Sequence, residues 1–410
     1  MTVPKSNKLR VLHVIPSAGP QRGGPSFVIR AIARGLSDEG VSVDVATTND
    51  NGPGVLDVTL YRPIVQEGAT YRYFPRQTRF YGCSLPLAVW LWRHVADYDL
   101  VHIHALFSFP STAAAIIARL RGVPYIVRPL GILNRWGMQN RRPFLKQLSF
   151  DLCEKRIIRH AYAVQFTSEP ERLEAQDLGG NCRAVVIPNP VELPQEGEHA
   201  LLLGGRRTSN DGDPVYLFLS RIDEKKGIDL LLEAFALVLR ELPGSRLIIA
   251  GEGPEALTAT LHALADRLGI EASVTWSGFV AGEVKNKLLG EADVYVLPSY
   301  SENFGVSVVE AMAAALPVVI TDRVGIHPEI SHSKAGLVTT CDAPAFAQGM
   351  LTLGRNPALS CEMGAAGCLV ARRDFSVAAV ARRLVELYAG AALEPAVGRA
   401  AGRPQVDVTG

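Results

Sequence analysis

"ADVYVLPSYSENFGVSVVEAMAAALPVVITD", Ala292 to Asp322, decides how this chain is read. "VYVLP" is a short β-branched run that stops at Pro298, as a buried strand does. "VSVVEAMAAAL" has no polar face apart from Ser307 and Glu310, the pattern of a helix buried all round. Pro317 ends it, and "PVVIT" reads as the next strand. Strand, buried helix and strand in succession predict a parallel sheet covered on both faces.

Two carboxylates sit in this apolar stretch. The helix is expected to begin near Gly305, leaving the amides of Asn303, Phe304, Gly305 and Val306 open to an anion, with the helix dipole behind them. Gly305 lets a ligand approach the backbone closely. Glu310 lies a little over one turn into the helix, where an unpaired carboxylate costs on the order of several kcal/mol. Its partner is either a core basic group or a pair of sugar hydroxyls, such as those of a ribose. Glu302 precedes the helix at the strand's carboxyl end. It is either a solvated loop charge or a second grip on the same ligand.

The same alternation extends outward in both directions. "VYLFLSRI", "SRLIIAGEG" and "ASVTWSGFV" read as strands before it, with a helix at "GIDLLLEAFALVLREL". Nearer the N-terminus, "LRVLHVIP", "VSVDVATT", "DLVHIHAL" and "VPYIVRPLG" read as strands, with helices at "SFVIRAIARGL" and "STAAAIIARLRG". The pattern dissolves into polar, glycine- and proline-rich sequence from Glu192 to Pro214. The expected organisation is an N-terminal doubly wound domain over 1–190, a linker over 191–213 and a second doubly wound domain over 214–373. A C-terminal helix over 374–389 is expected to pack back on the first domain, and 391–410 reads as a disordered tail. Two such units place a ligand cleft at the carboxyl ends of their strands.

A basic cluster supports the second unit as the one that holds a phosphate. Arg221 follows a buried strand, and Lys225 and Lys226 precede Gly227 at a helix start. The plainer alternatives are a local Arg221–Asp223 pair and solvated lysines. In the first unit, Gly23 and Gly24 follow the first strand, with Pro25 at the helix start. They form either a ligand loop or a tight turn.

With 410 residues, 48% hydrophobic and 20% charged, the chain is a globular protein of two ordinary domains. A formal net charge of +1 does not point to nucleic acid. Six scattered cysteines suggest neither zinc nor disulfides and suit a reducing cytoplasm. No apolar run is long enough to span a membrane, and the N-terminus lacks a secretory signal. His102 and His104 share a strand face, but no third ligand stands at a telling spacing, so no metal site is expected. "DYD", Asp97 to Asp99, precedes a strand and reads as a turn.

The run "SRIDEKKGIDLLLEAF … LIIAGEGP … SGFV … ADVYVLPSYSENFGVSVVEAMAAALPVVITD" resembles the retaining nucleotide-sugar glycosyltransferases of the GT-B fold, glycosyltransferase family 4 (group 1), over about residues 9 to 390. The resemblance implies two Rossmann-like domains facing a central cleft, no metal and no cofactor. It implies that Arg221 and Lys226 bind the donor diphosphate, Glu310 the ribose and Glu302 hydroxyls of the transferred sugar. Amides from Asn303 to Val306 complete the donor site, and the backbone at Phe279 and Val280 meets the base. It places Gly23 and Gly24 over the phosphates and His104 against the transferred sugar, with His102 as packing. The chain departs from close relatives at Leu130, where "RPLG" replaces the frequent R-P-H-G, and at Ala315, where a glycine is usual.

The expected activity is hexosyl transfer with retention, from a UDP- or GDP-sugar to a saccharide or lipid-linked acceptor in surface polysaccharide assembly. A sugar-nucleotide epimerase and a non-catalytic nucleotide-sugar-binding protein are the alternatives. A nicotinamide dehydrogenase fits poorly, because "GEGP" lacks the third glycine. Asn134 to Arg159 carries seven Lys/Arg against Asp151 and Glu154, with Trp136, Phe144, Leu148 and Leu152 on an apolar side. It reads either as a contact with the anionic inner membrane surface or as a solvated edge of the acceptor cleft.

Overall fold

The computed structural model of the chain describes residues 8–131, 133, 147, 149–179, 182–193 and 212–393. Most of the basic segment (134–146 and 148), most of the expected linker (194–211) and the tail beyond 393 lie outside the described residues.

The described chain forms two compact units. The first takes the chain to Thr167, then Glu171–Ile187 and everything from Val380 on; the second takes Ser168–Pro170 and Pro188–Ala379. Val191, expected in the linker, is buried in the second unit's core and bridges Ser376.

In the first unit the strands are β1 (Arg10–Ser17), β2 (Ser42–Thr48), a short hairpin β3 (Asp50–Asn51) and β4 (Gly54–Val55), β5 (Pro63–Gln66), β6 (Ala69–Phe74), β7 (Leu100–His104), β8 (Tyr125–Arg128), β9 (Ala163–Phe166) and β10 (Ala184–Val186). The main sheet runs β10-β9-β8-β7-β1-β2-β6-β5. It is parallel except for β5, which pairs antiparallel with β6 at the edge. Both faces are covered, which is why its strands read as near-continuous apolar runs. Leu12, Val14, Val101 and Ile103 face helices α2 (Leu85–His94) and α3 (Phe109–Leu120). Val11, Ile15 and Leu100 face α1 (Gly24–Asp38) and the C-terminal helix Val377–Leu393, which contributes Val380, Leu384 and Tyr388.

The second unit's strands are β11 (Val215–Leu219), β12 (Arg246–Ala250), β13 (Val274–Gly278), β14 (Val294–Leu297), β15 (Val318–Thr321) and β16 (Gly336–Thr339). Their order, β13-β12-β11-β14-β15-β16, is all parallel, and the direction of winding reverses between β11 and β14. In such sheets ligands bind beyond the carboxyl ends of the two strands at the reversal. The helix between β14 and β15 runs Val306–Ala313, with Val308, Val309, Ala311, Met312 and Ala313 buried.

Candidate functional site

The reversal point of the second sheet gathers the charged residues that the sequence singled out. β11 delivers Arg221 and the turn that holds Lys226; β14 delivers the loop that holds Glu302. The two loops touch through Gly227, whose φ is +66°. A Cβ there would lie 2.2 Å from the Pro298 carbonyl oxygen, so no other residue fits. The Tyr300 N–H also donates to the Lys225 carbonyl at 2.8 Å.

Across this contact the buried Lys226 ammonium pairs with Glu302. Burial alone would raise the Glu302 pKa. The charges of Lys226 and Lys225, with a hydrogen bond from the Phe304 N–H, outweigh it and hold the carboxyl below its ordinary value. The Glu302 N–H and carbonyl bond Arg323 and Gly325, which pins the loop to the turn after β15.

Glu310 has a partner too. Lys285, on the helix Gly282–Glu291, donates to Glu310 Oε1 at 2.9 Å, with both side chains about one quarter exposed. The core-basic-group alternative therefore describes Glu310 here. Lys285 is a site residue that the sequence reading missed.

Between the two pairs lies the helix start. Gly305, at φ +94°, is the N-cap, and the helix begins at Val306, one residue later than expected. The N–H groups of Gly305, Val306 and Ser307 make no hydrogen bond among the described residues. The expected open set, Asn303 to Val306, is corrected accordingly. The Phe304 amide is taken up by Glu302. The Phe304 ring is a core residue stacked edge-on against Phe375, and the Asn303 carbonyl accepts from Ser168.

Arg221 is exposed and makes no ion pair or hydrogen bond among the described residues; Asp223 instead caps the turn through the Lys225 N–H. Phe279 is exposed just past β13, while Val280 packs partly on the core.

In the first unit the glycine loop is a braced structure. Gly23 (φ +73°) caps α1, which starts at Gly24 with Pro25 in its second position. Ser26 Oγ donates to the Gly19 carbonyl at 2.7 Å, and Arg22 Nε donates to Asp50 Oδ2 at 2.6 Å. Arg76 also pairs with Asp50, a carboxylate outside every motif read above.

His104 lies deep in the first unit. The resemblance set it against the transferred sugar, yet it has no exposed surface. β1 and β7 are paired with His13 opposite His102, so a third histidine joins the two read from the motif. His13 Nδ1 meets His104 Nε2 at 2.9 Å, and His102 Nδ1 meets the Tyr388 hydroxyl at 2.6 Å. The His102 and His104 rings stack at 4.3 Å. Burial, with the Arg128 charge, lowers the His13 pKa to about 3, and burial foremost pushes His102 and His104 well below the ordinary range. The three rings are therefore neutral, and their ligand atoms lie within 4.8 Å of one another. The missing third ligand thus exists in space. A cation placed there would still share its pocket with the buried Arg128 guanidinium, which already lowers all three histidines, so the cluster reads as a packed polar core.

Asp97 and Asp99 are structural. Asp97 ends a 3-10 turn, and Asp99 accepts the Arg10 N–H at 2.8 Å. Leu130 and Ala315, the two departures from the family pattern, both hold left-handed backbone, at φ +60° and +53°.

Comparison with known proteins identifies the family. Residues 205–368 match the family described as glycosyl transferases group 1, and residues 23–190 match the glycosyl transferase 4-like domain. EpsD of Bacillus subtilis, named as a glycosyltransferase, is 33% identical over 300 residues, covering 71% of this chain and 76% of that protein. The D-inositol 3-phosphate glycosyltransferase of Segniliparus rotundus is 28% identical, covering 93% of this chain and 88% of its own length. Among solved structures, Anabaena Alr3699/HepE in complex with UDP superposes with a TM-score of 0.74 at 20% identity, covering 93% of this chain and all of that one. The chain belongs to the group 1 glycosyltransferases, of the family 4 type and the GT-B fold.

Proposed function

We propose that the protein transfers a hexosyl group, with retention, from a UDP- or GDP-sugar to a hydroxyl of a saccharide or lipid-linked acceptor in surface polysaccharide assembly. One observation carries this reading: two lysine–glutamate pairs, Lys226–Glu302 and Lys285–Glu310, flank an open helix start at the sheet's reversal point. A donor exchanges those pairings for its own. Its diphosphate takes the amides of Gly305 to Ser307 and the cations of Arg221 and Lys226. Lys226 thereby leaves Glu302, whose carboxylate turns to the hydroxyls of the transferred sugar. The ribose hydroxyls donate to Glu310, and the backbone at Phe279 and Val280 borders the base.

Catalysis in this reading is charge stabilisation of the departing diphosphate plus positioning. The glycosidic bond to the diphosphate breaks on the same face at which the acceptor oxygen attacks, which retains the anomeric configuration. A diphosphate oxygen takes the acceptor proton. The protein's own cations meet the diphosphate charge, so no metal is required. The Anabaena relative's complexes with UDP and with UDP-glucose favour a UDP-sugar donor. The inositol 3-phosphate and phosphatidyl-myo-inositol acceptors in relatives' names favour a phosphorylated or lipid-borne acceptor.

Calorimetric titration with UDP, GDP and their sugars, in the presence of EDTA, tests this. A ligand at about 100 times its Kd should also stabilise the fold by roughly 2.7 kcal/mol. Absence of binding by every nucleotide, or binding abolished by EDTA and restored by magnesium or manganese, would overturn the donor reading.

A further inference from the structure

Helix α2 buries Leu87 and Leu91, yet its other face is also apolar. Leu85, Val89 and Trp92 are spaced four and three residues apart and so share one side. They are 61%, 49% and 49% exposed. The neighbouring α3 repeats the pattern: Ile116 and Leu120, four apart, are 50% and 66% exposed. The two helices pack together, and the Arg121 guanidinium lies 5.5 Å over the Trp92 ring, tying the end of α3 to the outer face of α2. A groove of about 450 Å³ opens beside it, lined by Leu85, Pro86, Val89 and Arg93 among others. Contiguous exposed apolar side chains of this kind mark an interaction surface.

The charge around them selects the partner. Residues 68–96 and 100–150 contain no aspartate or glutamate. Arg93, Arg119 and Arg121 are exposed on or beside the apolar stripe. Two carboxylates follow α2 in sequence: Asp97 faces His94, and Asp99 accepts the Arg10 N–H. Exposed aliphatic residues, a half-exposed tryptophan and a rim in which three arginines outnumber two aspartates match the boundary of an anionic bilayer, where acyl chains meet phosphate headgroups.

We infer that the outer face of α2 and α3, centred on Trp92 and Leu120, docks the protein on an anionic lipid bilayer. Leu85, Val89, Trp92, Ile116 and Leu120 enter the headgroup–acyl boundary, and Arg93, Arg119 and Arg121 meet lipid phosphates. This deepens the proposed function and rests on it only for what docking would bring within reach, a lipid-borne acceptor. It does not depend on the basic segment.

The full chain is tested by co-sedimentation with vesicles of phosphatidylcholine alone and of phosphatidylcholine with phosphatidylglycerol. Binding should require the anionic lipid and fall with added salt. The double variant Trp92→Ser/Leu120→Ser should bind at least tenfold more weakly, with an unchanged melting temperature because both side chains are exposed. Arg93→Glu/Arg121→Glu should lose the response to phosphatidylglycerol. Brominated acyl chains should quench wild-type fluorescence and quench Trp92→Phe less. Wild-type protein that ignores anionic vesicles, or both double variants binding as the wild type does, would overturn the inference. So would a wild-type dimer that Trp92→Ser/Leu120→Ser converts to monomer without any vesicle binding. UDP affinity measured without vesicles reports on the functional reading alone, so the two can fail separately.

Discussion

Within the first sheet, His13, His102, His104 and Arg128 have at most 2% exposure. At the reversal point of the second, the side chains of Lys226, Glu302, Lys285 and Glu310 keep between 9% and 28%. Both places collect polar groups in an apolar sheet. In the first, protein atoms surround those groups on every side, and the rings stay neutral. In the second, each charge has one protein partner and an edge open to solvent. A sealed network resists exchange with ligand, although His13 Nε2, His102 Nε2 and His104 Nδ1 have no hydrogen-bond partner among the described residues. A half-open ion pair gives up one partner for another at little cost, because water and ligand compete on similar terms. The difference separates a sealed polar core from the candidate site more clearly than residue type does.

Acid should break this comparison most strongly, and in the first unit. The folded pKa values of the three histidines lie below the unfolded value of about 6.5. Below that pH the unfolded chain binds protons that the folded chain refuses. Stability therefore rises with pH and is lost as pH falls from about 6.5 toward the folded value, about 3 for His13. Each histidine contributes a slope of roughly 1.4 kcal/mol per pH unit, and three acting together up to roughly 4. Urea unfolding at pH 7.0, 6.0 and 5.0 measures it. His13→Gln should flatten the slope by about one histidine's share. A flat profile between pH 7 and 5 would mean the rings are open to protons.

The next largest effect belongs to the second unit. Lys226→Ala should weaken UDP binding by about 10- to 100-fold, since it removes a charge-assisted contact of roughly 1.5–3 kcal/mol. Arg221→Ala should act similarly, and Lys225→Ala much less. Calorimetry decides, and unchanged affinity in both of the first two variants would remove the diphosphate assignment. The glutamates sharpen the same site. Glu310→Gln should weaken UDP and UDP-sugar alike by about tenfold, the scale of one hydrogen bond to a charged group. Glu302→Gln should spare UDP, or tighten it by releasing Lys226, while turnover of the sugar donor falls. Equal effects of both variants on both ligands would contradict the division of roles.

How much of this was legible follows from where each partner lies along the chain. Arg221, Lys226, Glu302 and Glu310 stand at or near strand ends and helix starts inside two continuous motifs, so local pattern singled them out, while the reversal point that gathers them appears only in the strand order. Lys285 comes from a helix that carries no motif, and only the packing of that helix brings it to Glu310. His13 is opposite His102 through a strand pairing 89 residues apart in sequence, which periodicity does not encode. Alternation put His102 and His104 on one face of β7, but a face is not a depth. Whether it is lined by solvent or by Tyr388 depends on the C-terminal helix, which returns from the far end of the chain. The antiparallel edge pair β5–β6 went unread: β6 alternates with period two, but its partner β5, four mostly exposed residues, has no such period.

The smallest effect concerns Leu130 and Ala315, two of the left-handed residues, one in each unit. Leu130 and Ala315 adopt φ values that favour glycine, and a Cβ in that region costs about 1–2 kcal/mol. Ala315 is the cleaner case, because its side chain is a single methyl. It follows the helix Val306–Ala313, and its N–H donates to the Met312 carbonyl at 2.8 Å, an arrangement that closes the helix end. Ala315→Gly relieves the backbone but gives the unfolded chain more freedom, a penalty of about 0.4–1 kcal/mol. The balance should be a gain of up to about 1 kcal/mol, or a few degrees in Tm for a unit of this size. Donor affinity should not change, because the substitution lies at the opposite end of the helix from the open amides. Leu130→Gly relieves the same strain but also removes a partly buried side chain, so its net effect should be smaller or of opposite sign. A lower Tm for Ala315→Gly would show that the buried methyl contributes more by packing than its backbone costs.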